Sequence, residues 1–489
     1  MWKMPIVRLL CVLGLPFLVS SAGHGQLRAG AARSEITPDI ANHKVYLAGF
    51  GHNRIATAVH DPLYVRCIAL DSGRHTVVMC AADLIGLFYS DVETIRERFR
   101  RTAPPGARLI VASTHVHEGP DTLGLWGPSA LETGVDQPYL DWVESRIAET
   151  AMAATRSMAP ARVRLARDEH PLLAHLQSVD RPPYVKDPVL LVMQLVRPSS
   201  GATIATLVNW SDHPEILNRK NTEITADYPG WTCRYLEKRY GGTAVFFNRA
   251  VGKVSALGPQ VALLDQQTGR VAEDGAWRKP ELLGTLIGQL AETALTNAPM
   301  LSANTLLFRS SVFFLPLAND RFRLAEAARV FGDRRPLYTE GKPDEGSAER
   351  DIDGQKARYP TGHDLESEVD FLALKAGPRV LAEFVTVPGE IFPELVNGGI
   401  TRYAGADYPD AAIDRPLRDL LASHYPFIIG LGNDEIGYII PKAEWDEQAP
   451  WLNNSPQAYY GEINSAGPDT AASVARALTD LLGARSPHK

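Results

Sequence analysis

The chain has 489 residues, of which 45% are apolar and 22% are charged, and its net charge is -7. This length is enough to bury one large core or two smaller ones, so a globular protein of enzyme size is expected. No run of Lys and Arg forms a basic stripe, and together with the negative net charge this argues against a protein that binds nucleic acid.

The first residues have the pattern of an export signal. Lys3 and Arg8 precede an apolar stretch at 9–19, and small residues follow at 20–25. We therefore predict a signal peptide over residues 1–24 and a protein that is exported, either secreted or periplasmic. The apolar stretch is shorter than the roughly 20 residues that a membrane-spanning helix needs, which makes an uncleaved anchor the less favoured interpretation.

Predicted strands and helices alternate along the remaining residues, 25–489, which we expect to form a single domain. The strands are expected at 63–71, 75–86, 107–114, 189–197, 202–210, 244–252, 379–387 and 426–432. The helices are expected at 91–101, at 137–158, from Pro229 to the Gly241-Gly242 pair, at 281–296 and at 469–482. This interleaving predicts a mixed α/β or α+β class with layers of sheets and helices.

One long segment, 319–370, shows no periodicity. It is rich in Arg, Asp, Glu, Gly and Pro. We interpret it as a long surface excursion, either a solvated loop or a lid over a cleft, and the composition favours the solvated loop.

Three cysteines lie beyond the predicted signal, so at most one disulfide can form among them. Cys67 and Cys80 sit in apolar runs that are typical of strands, and Cys233 lies in a predicted helix. Buried, unreactive thiols are the favoured interpretation.

Two histidines separated by one residue follow the predicted strand 107–114. His115 and His117 project from the same face of an extended chain, because side chains alternate along a strand. Pairs of this kind are also common at surfaces and in cores, so the pattern alone leaves metal binding and a structural role open.

Three further strand ends carry polar residues. His213 follows the strand 202–210, Glu390 follows the strand 379–387, and Tyr438 follows the strand 426–432. In open α/β sheets, ligands bind beyond the carboxyl ends of strands. Two imidazoles, a carboxylate and a phenol oxygen suit Zn²⁺, which activates a bound water near neutral pH. The four strand ends together therefore predict a zinc site at this edge of the fold.

These motifs together resemble the neutral ceramidase family, over the catalytic, N-terminal domain of that family. The similar segments occur in the same order along nearly the whole predicted mature chain: AGAARSEITP, AGFGH, DPLYVRCIALD, AADLIGL, STHVHEGPDTLG, NWSDHP, TADYPGW, VPGE, GNDEIGY and YYGEINSAGP. Members of this family are zinc-dependent hydrolases that cut the amide of ceramide into sphingosine and a fatty acid. The resemblance implies the same fold, metal and reaction.

The resemblance also implies roles for individual residues. The ligands that it implies for one zinc ion per chain are His115, His213, Glu390 and Tyr438. It makes His117 a group that hydrogen-bonds the scissile carbonyl or relays a proton. Tyr460 is expected to help hold the oxyanion, with its neighbour Tyr459 as the alternative if the alignment shifts by one residue.

Two segments depart from the family pattern. In AVGKVSALGP, Ser255 matches an active-site serine, but Lys253 replaces an acid and Ala256 replaces a proline. The family's arginine-containing loop is not evident, and Arg181 in SVDRPPYVKDP is its nearest stand-in as a substrate contact. Asp121, in the STHVHEGPDTLG motif, is the other expected substrate contact.

The sequence thus predicts an exported zinc-dependent amidase for a ceramide-like N-acyl lipid, with peripheral membrane contact through that substrate. Three alternatives stay open at this point. The first is an amidohydrolase or esterase for another small acyl substrate. The second is a two-metal amidohydrolase on a TIM barrel, since an H-x-H after an early strand begins that fold too. The third is a catalytically impaired relative that binds a lipid or a glycan, which the Lys253 substitution motivates.

Overall fold

The computed structural model describes residues 26–258, 261–344, 348–352, 355–359 and 361–483. The predicted signal peptide, 1–24, lies outside these residues. Within the described ranges, every helix is too short or too polar to cross a membrane.

Five strands form the first sheet, and two of them are parallel. In spatial order they are Arg108–Ser113, Thr76–Ala82, Tyr64–Asp71, Arg28–Glu35 and Ala159–Pro160. The helix Tyr89–Arg100 connects the parallel pair, Thr76–Ala82 and Arg108–Ser113. Side chains of this helix and of Gln137–Arg156 pack against one face of the sheet.

The second sheet repeats this plan with four strands. In spatial order they are Thr243–Asn248, Thr203–Trp210, Leu190–Val196 and Arg162–Asp168. The helix Asp227–Tyr240 connects the parallel pair, Thr203–Trp210 and Thr243–Asn248. It packs on the sheet together with the helix Arg278–Leu295.

The third sheet has six strands and ends in another parallel pair. The strands are Thr305–Pro316, Leu337–Thr339, Lys342–Pro343, Asp364–Ala376, Arg379–Val387 and Pro426–Gly430. The parallel pair is Arg379–Val387 with Pro426–Gly430. Apolar side chains of the helix Thr470–Gly483 pack against this sheet.

Shorter elements complete the described chain. The two-stranded pairs are Ala58–Val59 with Glu223–Ile224, Ser178–Val179 with Val254–Ser255, Leu263–Asp265 with Arg270–Ala272, Ala348–Ile352 with Gln355–Tyr359, and Glu390–Ile391 with Tyr438–Ile439. The short helices are Pro171–His175, Asp320–Ala327, Pro393–Asn397 and Tyr460–Ile463.

The three sheets share one central core. Along Tyr64–Asp71, for example, Ile68 and Leu70 face this core, whereas Val65 and Ala69 face the covering helices. A strand that is buried on both faces needs mostly apolar side chains at successive positions, which is why these strands are largely apolar runs in the sequence. The mixed α+β class with layered sheets and helices is confirmed. The described strands form separate sheets, so the TIM-barrel alternative is wrong.

The segment 319–370 differs from the solvated loop that we expected. Its described residues include the helix Asp320–Ala327, which Asn319 caps through side-chain bonds to two backbone N–H groups, and the strand Leu337–Thr339, which pairs with the third sheet. Phe322 and Phe331 are buried in the same core cluster as the third sheet. These elements are too short to produce a periodic pattern, which explains why the sequence did not reveal them.

Cys67 and Cys80 form a disulfide, so the preference for free thiols at these positions was wrong. They are direct partners in the antiparallel pairing of two neighbouring strands. Pairing of this kind places two β-carbons close together, and it depends on a strand register that the spacing in the sequence does not fix. Cys233 is a buried free thiol.

Candidate active site

His115 stands just beyond the carboxyl end of Arg108–Ser113, and its backbone fixes where the ring points. Its φ of 64° lies in the left-handed region, which turns the chain sharply after the strand. The ring Nδ1 lies 2.8 Å from the carbonyl oxygen of Ile85. A carbonyl only accepts, so Nδ1 donates this bond and Nε2 is the nitrogen that faces the cluster.

His213 is held in the same way after the strand Thr203–Trp210. Its Nδ1 donates to the carbonyl oxygen of Val254 at 2.6 Å, and its Nε2 lies 2.8 Å from Oε2 of Glu390. Burial disfavours a charged imidazole, but the hydrogen bond to Glu390 and its negative charge outweigh that effect and raise the pKa of His213 to about 10.

Glu390 lies where the two histidines meet. Its Oε2 is 3.3 Å from Nε2 of His115 as well as 2.8 Å from Nε2 of His213. Burial alone would raise the pKa of this carboxyl, yet the two neighbouring histidines lower it below its ordinary value. The side chain is therefore a carboxylate with one oxygen shared between two imidazoles.

Tyr438 faces Glu390 across a short parallel pairing of strands. Its side chain is buried, and its ring stacks 6.4 Å from that of His213. Burial and the charge of Glu390 raise the pKa of the phenol well above its ordinary value. The structure thus brings together all four residues that the sequence predicted as zinc ligands.

This cluster fits a metal ion. Ring nitrogens of His115 and His213 lie within 4.8 Å of each other and of a ring nitrogen of the adjacent His117, and all three residues are buried. Both histidines that contact Glu390 have their second ring nitrogen bonded to a backbone carbonyl, which is the outer arrangement that orients metal-bound imidazoles. The two imidazole nitrogens, with the Glu390 oxygen 2.8 and 3.3 Å from them, are the donor types that Zn²⁺ prefers.

His117 lies beside this cluster but is held differently. Neither of its ring nitrogens has a hydrogen-bond partner among the described residues, and its Nδ1 is 3.7 Å from Oε2 of Glu215. Burial, followed by the nearby His115 and His213, lowers the pKa of His117 well below its ordinary value. The ring is therefore a neutral imidazole with a free nitrogen in the cavity.

Ser255 contacts this region through Glu215 rather than directly. Its hydroxyl donates to Oε1 of Glu215 at 2.6 Å, on the far side of the carboxyl from His117. Glu215 lies two residues after His213 in the sequence, and it was not predicted as a site residue because this adjacency is its only signal there. The neighbouring Lys253 pairs with Glu394 and donates to a backbone carbonyl, away from the cavity.

The two adjacent tyrosines have different surroundings. Tyr460 lines the cavity, is 57% exposed, and its ring lies 5.9 Å from that of Tyr438 at nearly a right angle. The hydroxyl of Tyr459 instead donates to the carbonyl of Leu452, and its ring lies under the guanidinium of Arg181. Tyr460 is therefore the one placed to reach a bound substrate.

Arg181 and Asp121, the two predicted substrate contacts, do not line the cavity. The guanidinium of Arg181 is buried and bonds to both carboxylate oxygens of Glu462, at 2.7 and 2.8 Å. The carboxylate of Asp121 accepts hydrogen bonds from the backbone N–H groups of Leu123, Gly124 and Trp126, so it fixes the shape of a loop in the cavity wall. Both side chains are committed to structural contacts, and the geometry gives them positioning roles.

The cavity beside the cluster has a largely apolar wall. Its apolar lining residues are Ile85, Phe88, Leu123, Leu125, Trp126, Phe322 and Phe331. Two of them, Phe322 and Phe331, come from the segment 319–370, which therefore closes one side of the site. A surface groove shares Leu125, Trp126 and Phe322 with the cavity and continues past Leu131 and Leu324. Apolar side chains thus line both the cavity beside the histidine cluster and the adjoining groove.

The fold is similar to that of solved ceramidases. The structure of neutral ceramidase from Pseudomonas aeruginosa matches with a TM-score of 0.64 at 14% sequence identity, over 94% of this chain and 74% of that chain. A structure described as ceramidase complexed with C2 matches with a TM-score of 0.64 at 15% identity, over 94% and 75% of the two chains. The resemblance that the sequence motifs suggested is confirmed at the level of the fold.

Comparison of the sequence itself gave no match. No family model matches the chain, and no curated protein does so.

Proposed function

We propose that this protein is an exported, zinc-dependent amidase that cleaves a ceramide-like N-acyl lipid into an amine and a fatty acid. The observation that carries the proposal is the convergence of His115 and His213 on one carboxylate oxygen of Glu390, next to an apolar-walled cavity that His115 and Glu390 line. The fold of solved ceramidases supports the same reaction class.

Zinc held by His115, His213, Glu390 and Tyr438 would supply an electrophile for the amide carbonyl and a lowered pKa for the attacking water. The protein's own residues then manage hydrogen bonds and protons. His117, as a buried neutral imidazole, offers one nitrogen to accept a proton and return it to the leaving amine. The phenol of Tyr460 is positioned to donate to the developing oxyanion.

The apolar wall supports a lipid substrate. Burying an alkyl chain is favourable by about 0.8 kcal/mol per methylene, so a cavity and groove with aromatic and aliphatic walls select long chains. The groove opens at the surface beside Leu324, which is 47% exposed. A membrane-embedded substrate would enter by this route, which is the peripheral membrane contact that the sequence led us to expect.

The disulfide supports export. Bonds of this kind persist in oxidising compartments and are rare in a reducing cytosol. The pairing of Cys67 with Cys80 therefore agrees with the signal-like residues 1–24. Lys253 was the reason for considering an impaired binding protein. It pairs with Glu394 and does not line the cavity, so it no longer supports that alternative.

A panel of N-acyl amides and matched esters, assayed by released fatty acid with and without a chelator, tests the proposal. Hydrolysis of long-chain amides that a chelator abolishes and added zinc restores is the expected result. Turnover that survives complete metal removal would reject the metal-dependent mechanism. Binding of the lipids with no product at any zinc concentration would instead support the binding protein.

A further inference from the structure

Lys253 is a buried residue near the site that the reaction described above does not use. It does not line the cavity and is only 6% exposed. Its φ of 56° lies in the left-handed region, which side chains larger than glycine rarely adopt. A lysine is almost never this buried without a partner, and a backbone in this region persists only where surrounding contacts hold it. The contacts of Lys253 therefore need an account.

The side chain of Lys253 joins segments that are distant in the sequence. Its Nζ donates to Oε1 of Glu394, which is fully buried, and to the backbone carbonyl of Pro183 at 2.9 Å. Nζ also lies 5.0 Å from the centre of the Phe392 ring. Phe392 and Glu394 closely follow Glu390 in the chain. The amino group is therefore anchored to the segment that carries one of the predicted metal ligands.

Glu394 is the one carboxylate that matches this amino group. Burial lowers the pKa of the Lys253 amino group, and the charge of Glu394 acts in the opposite direction. Burial and the nearby Glu394 raise the pKa of Glu444 to about 9, so Glu444 is uncharged at neutral pH. Removing either member of a buried pair leaves the other without its partner, so we expect single substitutions here to disturb the local structure.

The backbone on either side of Lys253 is fixed as well. The carbonyl of Val254 accepts the hydrogen bond from Nδ1 of His213 at 2.6 Å. The N–H of Gly252 donates to the carbonyl of Ile391 at 3.0 Å. Lys253 thus lies between the bond that orients the His213 ring and the bond that ties this loop to the residue after Glu390. A rotation of the backbone at Lys253 would move Val254, and with it the carbonyl that holds the imidazole.

Close packing leaves this loop little room to shift. A β-carbon added at Gly252 would lie 2.6 Å from the carbonyl oxygen of Glu390 and 2.6 Å from Cδ1 of Phe392. The Phe392 ring lies 6.3 Å from the ring of Tyr438, nearly at a right angle to it. The loop that carries Lys253 therefore packs directly against the segment that carries Glu390 and, through Phe392, against Tyr438.

We infer that Lys253 is a positioning residue for His213. By pairing with Glu394, it holds the loop whose Val254 carbonyl orients the imidazole, with Nε2 toward Glu390. The consequence for zinc binding and turnover rests on the proposed function. The lysine that departs from the family pattern at this position thus supports the site instead of ending its activity.

Zinc affinity gives the first test, in a comparison of Lys253→Met with Lys279→Met. Methionine keeps an unbranched side chain and removes the amino group. Lys279 is a matched control, because it is 1% exposed, pairs with Asp274 and does not line the cavity. Lys253→Met should raise the Kd for zinc, measured by competition with a chelating dye, roughly tenfold, since groups that orient metal-bound imidazoles affect metal affinity by about 10-fold to 100-fold. Lys279→Met should leave this Kd unchanged.

The His213 ring gives a second readout that needs neither zinc nor turnover. In metal-free protein with isotope-labelled histidine, the buried Nδ1–H of His213 should give a downfield proton resonance, which His213→Ala identifies by its loss. Lys253→Met should shift or broaden this resonance, and Lys279→Met should leave it in place. A contact that only stabilised the fold would not move this signal in a folded variant.

A third comparison tests whether Lys253 acts through Glu394. Glu394→Gln keeps an acceptor for Nζ, so it is the milder change and carries the test if Lys253→Met folds poorly. It should shift the same resonance and weaken zinc binding in the same direction. The double variant Lys253→Met/Glu394→Gln should bind zinc no more weakly than Lys253→Met alone, because residues that act as one pair do not have additive effects. Additive effects would contradict a role through this pair.

The outcomes separate this inference from the proposed function. An unchanged His213 resonance in folded Lys253→Met or folded Glu394→Gln would overturn the positioning role. So would an equal shift of the resonance in Lys279→Met. A resonance that shifts only in the Lys253 and Glu394 variants, in a protein that hydrolyses no amide, would reject the amidase function and leave the positioning role standing.

Discussion

Oε2 of Glu390 lies 2.8 Å from Nε2 of His213, although 177 residues separate the two in the chain. The third sheet delivers the carboxylate and the second sheet delivers the imidazole, so the contact exists only because the carboxyl ends of their parallel strands meet. A buried carboxylate would be costly here without such partners. A divalent cation between these groups would take the place of the proton that His213 now donates to Glu390.

A substitution at Gly49 tests whether turnover depends on the position of the His117 ring. Its φ is 93°, and an added β-carbon would lie 2.3 Å from Cγ of His117. Gly49→Ala should therefore displace the imidazole and lower kcat at least tenfold, since small misplacements of reacting groups have large effects on rate. The control is Gly73→Ala, which has a φ of 81° and open space around the added carbon. Equal kcat values for the two variants would show that His117 position does not matter to turnover.

The disulfide should contribute to stability mainly through the unfolded chain. Cys67 and Cys80 are 13 residues apart. In the chain-entropy description, closing a loop of this size in the unfolded chain raises the free energy of unfolding by about 3 kcal/mol. Reductant should lower the free energy of unfolding of the wild type, measured in urea, and leave the Cys67→Ala/Cys80→Ala double variant unaffected. Thiol titration verifies that the disulfide is reduced. An unchanged free energy of unfolding of the reduced wild type would contradict this prediction.

A substitution at Leu324 tests whether the apolar groove binds the substrate's acyl chain, and it leaves the core unchanged. It is 47% exposed and lines the groove that continues from the cavity. Leu324→Gln should lower kcat/KM for a long-chain amide by roughly threefold to tenfold and change that for a short-chain amide little, because only the long chain reaches this residue. The matched control is Leu264→Gln, since Leu264 is 53% exposed on the separate hairpin of Leu263–Asp265. Chain-length preference that shifts equally in both variants would speak against the groove.

Asp227 should make stability depend on pH. Burial raises its pKa from 3.8 to about 7. The unfolded chain therefore releases this proton first, and stability is lost as the pH rises from about 4 to about 7, by at most about 4 kcal/mol. In the Asp227→Asn variant the asparagine can adopt the φ of 48°, and it has no titrating carboxyl. Its side chain has one oxygen instead of two, so one of the two backbone N–H groups that Asp227 binds loses its acceptor. Its unfolding free energy, measured across this range, should be lower but less dependent on pH; an unchanged slope would show that Asp227 does not titrate there.

Much of the fold was predictable because the main strands are buried on both faces. Strands such as Pro426–Gly430 are continuous apolar runs, and such runs are visible without any knowledge of their neighbours. The four predicted zinc ligands were visible for a related reason. His115, His213 and Glu390 closely follow such runs, where a polar residue becomes conspicuous, and Tyr438 stands in the loop that follows Pro426–Gly430.

The remainder depended on contacts between distant segments. Lys253 and Glu394 are 141 residues apart, and nothing local to either indicates that they pair. The pairing of Cys67 with Cys80 depends on strand register. Arg181 has the residue type of a substrate contact, but only the structure shows that its guanidinium is already hydrogen-bonded to Glu462.

Zinc content is the most direct measure of the central claim. We expect one zinc per chain in the purified protein by elemental analysis, and loss of both zinc and amidase activity in the His115→Ala/His213→Ala double variant, with the folded state verified by circular dichroism. Stoichiometric zinc retained by the folded double variant would contradict the assignment of these residues as the metal ligands.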